Sequence, residues 1–250
     1  MDLNYEYFIE YIKKIPDYQK LKILDFGCGR GEIVGELIKQ GVDICGVDTG
    51  YSREIPPEIL ASDLYRRGLI KIIKPGEALP FADKSFDLII SNQVFEHLEN
   101  LVFVATEMNR VLVDGGRMYH HFPTRDAIWE GHIGIPFAHW LPAHSKLRYY
   151  YIAVLRALGL GLYKKELGSY FDWLKNSIDR LDNLCFYRKY SEIKAYFSTK
   201  YQIKHYEGDY ALFRLSRNKK LKIFSLDAFK GLYGFIFRHL SFVAVELKKK

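Results

Sequence analysis

The stretch Ile23-Leu24-Asp25-Phe26-Gly27-Cys28-Gly29-Arg30-Gly31-Glu32 decides the fold. It begins inside LKILDF (21–26), a short apolar run rich in strand formers that stops at a glycine cluster. Beyond the glycines, Ile33, Val34, Leu37 and Ile38 recur at helical spacing until Gly41. A strand running through closely spaced glycines into a helix lets backbone approach a ligand at the helix N-terminus. The next strand, DICGV (43–47), leads into Asp48, 17 residues after Gly31. A carboxylate at that place can accept hydrogen bonds from both hydroxyls of a ribose. The spacing also separates kinds of nucleotide. In a G-x-G-x-x-G/A dinucleotide fingerprint counted from Gly27 and Gly29, the third position falls on Glu32. A phosphate-loop Lys-Ser/Thr pair is missing as well. A nucleoside without a pyrophosphate fits the loop.

Outward from this loop the chain alternates strands and helices. Tyr5 to Ile15 reads as an amphipathic helix stopped by Pro16, and Pro57 to Arg67 as another helix. Strands are expected at 69–73, 86–91 and 117–122, with a helix at 102–112. This rhythm predicts a parallel sheet with helices on both faces. It breaks over 124–188, which shows no clean alternation and is rich in His, Trp, Tyr and Arg. It resumes with a helix at 191–199 and strands at 202–206 and 242–247. Residues 209–240 between them read as helical, apolar and basic.

The 250 residues carry 48% hydrophobic and 27% charged side chains, a globular balance that excludes a disordered chain. The net charge of +7 is compatible with an acidic substrate, a nucleic acid or an anionic lipid. No arginine-rich tract, zinc knuckle or RNA-binding signature supports the nucleic acid, and none is expected. Cys28, Cys45 and Cys185 form no CxxC pair, which points to a reducing cytoplasm. The N-terminal MDLNYEYFIEYIKK lacks the order of a signal peptide. The longest apolar stretch, 232–247, is interrupted by Arg238, His239 and Glu246, so no membrane span is expected. Basic residues beside apolar ones in 209–240 allow peripheral contact with the inner membrane face. Helices packing on the sheet or on a partner explain the same pattern.

Four segments together resemble the class I S-adenosylmethionine-dependent methyltransferases of the type 11 group. They are LDFGCGRGE (24–32), GVD (46–48), EALPFADKSFDLIISNQVFEHL (77–98) and RVLVDGGRMYH (110–120). The resemblance covers about 21–123 and implies a Rossmann-like, seven-stranded, mostly parallel α/β sheet. The chain would be one domain over 1–250: a cofactor core over about 1–123, a lid insertion over about 124–188 between strands five and six, and closing elements over about 189–250. It implies S-adenosyl-L-methionine as cofactor. Asp25 and the backbone of Gly27, Cys28, Gly29 and Gly31 would hold its methionine portion, and Asp48 its ribose. Glu77, Ala78 and Leu79 would pass the adenine, with Phe81 below, and Asn92 and Gln93 would lie near the methyl group. Such sequences often place an Asp where this chain has Pro75.

Six of the eight histidines lie between 97 and 144. Methyl transfer from a sulfonium is an in-line displacement, and a base near neutral pKa helps when the acceptor is a hydroxyl. His97 follows the fourth strand and His121 ends the fifth, where ligands bind in open α/β sheets. They are the candidate bases, although His97 also reads as a residue that orients its loop. A metal reading, with Glu96, His97, Glu99 and a later His as ligands, stands beside this. Metal-dependent methyltransferases of RNA ends carry a Glu where this chain has Gln93, and no metal is expected. Within 124–152, His132, His139 and Trp140 are the candidate acceptor contacts, in a mixture of polar heads and aromatic bodies that suits a small-molecule, glycan or lipid-linked acceptor. The expected function is methyl transfer to such an acceptor, at a hydroxyl oxygen. A scaffold that keeps the cofactor pocket, or an RNA or protein methyltransferase, is the alternative.

Overall fold

A computed structural model describes residues 2–50 and 57–250. The elements in chain order are α1 (Leu3–Lys13), β1 (Lys22–Phe26), α2 (Glu32–Ile38), β2 (Asp43–Asp48), α3 (Pro57–Leu60), α4 (Asp63–Arg66), β3 (Ile70–Ile72), β4 (Phe86–Asn92), α5 (Leu101–Val111) and β5 (Leu112–Phe122). A small hairpin of β6 (Trp129–Glu130) and β7 (Ile135–Pro136) follows, then α6 (Lys146–Ala157) and α7 (Tyr170–Asn183). The chain closes with α8 (Tyr190–Ser198), β8 (Tyr201–His205), α9 (Glu207–Arg217), α10 (Lys230–Leu240) and β9 (Val243–Lys249).

Seven strands form one sheet in the order β3-β2-β1-β4-β5-β9-β8. β1 to β5 pair in parallel, and β9 runs antiparallel to both β5 and β8. The order reverses between β1 and β4, and the crevice beyond their carboxyl ends is where such sheets hold ligands. Successive side chains alternate faces. Ile23, Leu88, Ile90 and Tyr119 face a core with α1, α2 and α9, around Phe8 and Ile12. Leu24, Ile89 and Met118 face the opposite core with α5 and α8, around Met108 and Phe197.

Local chemistry sets the element ends. Asp2 accepts from the Asn4 amide at 2.7 Å and caps α1, and Asn100 caps α5 through the Phe103 amide at 3.0 Å. The single helix expected over 57–67 is two short ones, because the Ser62 hydroxyl caps the second through the Tyr65 amide. The segment expected to lack regular structure carries α6 and α7. Their apolar faces meet the hairpin around the fully buried Trp173, in a third core separate from the other two. Exposed aromatic and basic residues blur the helical period of α6, whereas α7 carries a clear one in Trp173, Leu174, Ser177 and Leu181 behind a Ser169–Asp172 capping box, a signal the sequence reading passed over.

Candidate functional site

A cavity of about 810 Å³ opens at the carboxyl ends of β1, β2 and β4. Gly27 and Gly29 floor it, Asp48 and Thr49 stand on one side, and Asn92, Gln93 and His97 on the other. The glycines take positive φ, the region that disfavours side chains. A Cβ on Gly27 would strike Val94 at 2.3 Å, whereas one on Gly29 would meet nothing within 4 Å. Gly29 thus faces open space, and a ligand can reach its backbone. Asp48 straddles the loop: Oδ2 accepts from the Gly29 amide and Oδ1 from the Gly50 amide, both at 2.7 Å.

Asp25 lies buried behind the loop and does not line the cavity. Burial, reinforced by the charge of Asp48, pushes its carboxyl up to about 8. A carboxyl raised in the folded state contributes stability at pH below its ordinary value of 3.8, and that contribution is lost as pH rises through 8. Unfolding free energy should therefore fall between those limits by up to about 1.4 kcal/mol per pH unit. Urea midpoints across this range should decline in the parent and much less in Asp25→Asn. Equal slopes would show that the carboxyl ionises freely.

A second cavity of about 570 Å³ lies beside the first, between α1, the end of β5, α9 and α10. His121, Tyr210, Arg214 and Phe237 line it, and Asn4 and Gln93 line both cavities. Gln93 is held at the junction with φ 57, its amide donating to the His121 carbonyl at 2.7 Å. Both ring nitrogens of His121 are buried without a hydrogen-bond partner. Burial drops its pKa to about 3, so the imidazole is neutral. His120 points through the opposite face, with its Nδ1 2.7 Å from the Ser91 hydroxyl.

The family model described as a methyltransferase domain matches residues 24–120. A ubiquinone biosynthesis O-methyltransferase of Rickettsia typhi is 37% identical over 102 residues, 40% of each chain. An uncharacterized protein of Methanocaldococcus jannaschii is 35% identical over 50% of this chain and 55% of that one. A solved S-adenosylmethionine-dependent methyltransferase from Mesorhizobium loti shares the fold with a TM-score of 0.53 at 16% identity, covering 99% of this chain and 100% of that one. Residues 24–120 are a class I S-adenosylmethionine-dependent methyltransferase domain. The chain spans about half or less of the length of the curated relatives it matches.

Within this methyltransferase domain the structure sorts the residues singled out from sequence. Gly27, Gly29, Asp48, Asn92 and His97 line the first cavity together. Cys28 and Gly31 turn away from it: the Cys28 sulfur packs where a Cβ of Gly46 would sit, and Gly31 abuts Ile70. Glu77, Ala78 and Leu79 do not line the cavity either. Glu77 accepts from the Lys74 amide, and the Leu79 amide and carbonyl are bonded to Glu107 and Arg110 of α5. Ile73 lines the cavity from this part of the chain instead.

The insertion over 124–188 supplies no lining residue to either cavity, and it approaches the first through His132, which reaches the lining residue His97. The three acceptor contacts expected there are engaged elsewhere. His132 lies among Glu130, Tyr187 and His97, His139 packs on the Tyr187 ring at 4.7 Å, and the Trp140 indole donates to the Ala127 carbonyl. His121 belongs to the second cavity, so the two candidate bases do not share one site. Asn4 and Tyr5 of α1, and Tyr210, Arg214 and Phe237, were not singled out as cavity residues from sequence. Only the mixed basic and apolar pattern of 209–240 hinted at the last three. No helix among the described residues is long and apolar enough to cross a membrane.

Proposed function

We propose that this chain transfers a methyl group from S-adenosylmethionine to a hydroxyl oxygen of a small amphipathic acceptor seated in the second cavity. The observation that carries this reading is the common wall: Asn4 and Gln93 line both cavities, so a nucleoside in one and an acceptor in the other meet beyond β4. When bound, the cofactor supplies an electrophilic methyl group on a sulfonium. The chain's residues hold and align. The open backbone at Gly29 receives the methionine portion, and Asp48 turns from the loop amides to the ribose hydroxyls. His121, neutral and unpartnered, is too weak a base to deprotonate a free hydroxyl, and takes the acceptor's proton only as the oxygen gains the methyl and that proton turns strongly acidic.

Arg214 donates to the Tyr210 hydroxyl and has no carboxylate partner among the described residues, which favours an acceptor bearing an anionic or strongly polar group. Beyond the cavity mouth at Leu221 and Phe237, the surface over 221–240 mixes exposed apolar side chains with basic ones: Ile223 is 74% exposed and Phe235 62%, beside the exposed Lys222 and Lys230. Such a rim suits an apolar tail and contact with an anionic lipid surface. It favours a lipid-linked acceptor over a bare glycan.

Methyl-labelled cofactor incubated with hydroxylated small molecules, with and without apolar tails, tests the reading. Label should move to tailed acceptors. Label found only on protein or RNA, or cofactor bound with no transfer to any acceptor of the panel, would sink it. Vesicles containing anionic lipid should co-sediment the parent and release a Phe224→Asp, Phe235→Asp variant. Equal sedimentation of both would remove the membrane from the proposal.

Asp48→Ala should weaken binding of S-adenosylhomocysteine by about 2–3 kcal/mol, roughly 30–150-fold, because two hydrogen bonds to a charged acceptor are lost. Gly29→Val should do at least as much, by filling the open approach and forcing a β-branched residue to positive φ. Isothermal titration on folded protein checks both. Parent-like affinity in either variant would misplace the nucleoside.

A further inference from the structure

Where the insertion meets the methyltransferase core, three segments distant in sequence converge. His97 comes from the turn after β4, His132 from the hairpin, and Cys185 from just beyond α7. One ligand atom from each lies within 4.8 Å of the other two. The hydrogen bonds fix the tautomers. His97 Nδ1 is 2.6 Å from the Leu184 carbonyl oxygen, which can only accept. His132 Nδ1 is 2.7 Å from Glu130 Oε1, and the Tyr187 hydroxyl donates to that same carboxylate oxygen at 2.5 Å. Each imidazole therefore spends its N–H on the δ nitrogen and turns a lone pair outward at Nε2. The two Nε2 atoms stand 3.2 Å apart. Two acceptors at that separation need something positive between them.

A zinc ion with bonds of about 2.0–2.1 Å at tetrahedral angles holds two imidazole nitrogens about 3.3 Å apart. The carbonyl and carboxylate behind the rings are the outer partners that zinc-bound histidines use to fix tautomer and orientation. Glu96 stands beside this set, near His97, and would have to draw in to complete it. Glu96 is 2% exposed, neither of its oxygens has a hydrogen-bond partner, and Oε1 lies 3.9 Å from His97 Nε2. A buried carboxylate without a partner is costly, and a cation repays it. A dication with one thiolate and one carboxylate is a neutral centre, suited to burial. The backbone is already clamped around this point, since the Phe186 amide donates to the Glu96 carbonyl at 2.6 Å.

We propose that His97, His132 and Cys185, with Glu96 as fourth ligand, form a zinc site that fastens the insertion to the core. The mixed nitrogen, sulfur and oxygen set selects zinc over magnesium or calcium, which take oxygen ligands. Glu99, the other carboxylate considered from sequence, is exposed and plays no part. Binding converts the Cys185 thiol to a thiolate and releases its proton. Four protein ligands make the site structural, so His97 is a ligand here and not a base. The assignment is independent of the methyl-transfer reading.

The full-length protein, stripped with chelator and titrated with zinc alone, should bind one ion per chain and melt at higher temperature once loaded. Its cobalt form should show a thiolate-to-metal charge-transfer band, which Cys185→Ser abolishes and Cys45→Ser leaves intact. Glu130→Gln should weaken zinc binding about 10–100-fold while the protein stays folded. Loss of a ligand in His132→Gln should cost more than that. If His132→Gln does not fold, Cys185→Ser, which exchanges one atom, decides. Stoichiometry near zero under excess zinc, a cobalt form without the band, or parent-like affinity in Cys185→Ser would each overturn the assignment. A shared proton between the two imidazoles would then fill the gap.

Discussion

Methyl transfer by His121→Ala should fall about 10²–10⁴-fold, with binding of S-adenosylhomocysteine unchanged. The expected split follows from geometry. His121 lines the second cavity and not the first, so the proposed acceptor side loses its base while the glycine loop and Asp48 stay in place. The ring packs against Tyr210 at 4.5 Å and Phe242 at 4.3 Å, so some stability is lost too, and His121→Asn provides a polar control of smaller volume. Initial rates with labelled cofactor and titration of the product nucleoside measure the two quantities separately. A rate unchanged in a folded variant would mean that the acceptor arrives already deprotonated or that alignment alone suffices. A rate lost together with nucleoside binding would place His121 in the cofactor's support instead.

Trp173→Ala should cost about 3–5 kcal/mol of stability. Trp173 is the largest fully buried side chain among the described residues and the centre of the insertion's core. Its indole donates to the Leu162 carbonyl at 2.6 Å, its ring lies where a Cβ on Gly161 would collide, and the Arg156 guanidinium sits 5.2 Å above it. Removing it leaves a cavity, an orphaned carbonyl and an unsupported cation in a core of few residues. Because no insertion residue lines the first cavity, nucleoside binding should survive. Chemical unfolding followed by near-ultraviolet dichroism should show the insertion melting before the sheet. A single transition with a loss under about 1 kcal/mol would contradict this account of the insertion's core.

Much of the architecture was legible because its signals are local. The Asp25–Gly31 loop, the apolar strands and Gly41 each carry their meaning within a few residues, and the seven-stranded sheet agrees with the expectation. The likeness implied a mostly parallel sheet, but the place of β9 between β5 and β8 and its antiparallel pairing were not read, since no local pattern sets them at that edge. The insertion was misread because α6 buries only a narrow apolar stripe among exposed aromatics, and because the period and capping box of α7 were passed over. The Glu77–Leu79 segment was placed against the nucleoside by likeness, yet its backbone is bonded to side chains 28 and 31 residues away. Such long-range partners have no signature in a single sequence. The same holds for His132 and His139, whose polarity read as reach toward the acceptor: His139 packs on Tyr187 within the insertion, and His132 reaches Glu130 and, across to the core, His97.

The wall shared by the two cavities is thin: among the described residues, Asn4 and Gln93 alone border both sides. One side is built largely from the stretch that matches the methyltransferase family, and the other draws on α1, α9 and α10, which lie outside it. On the proposed reading, donor chemistry and acceptor choice are separable loci in this molecule, written in different parts of the gene. If the second cavity takes the acceptor as proposed, substitution at Arg214 or Phe237 should redirect the methyl group without disturbing the cradle that delivers it. An engineer seeking a new acceptor should randomise the helical wall and leave the glycine loop alone.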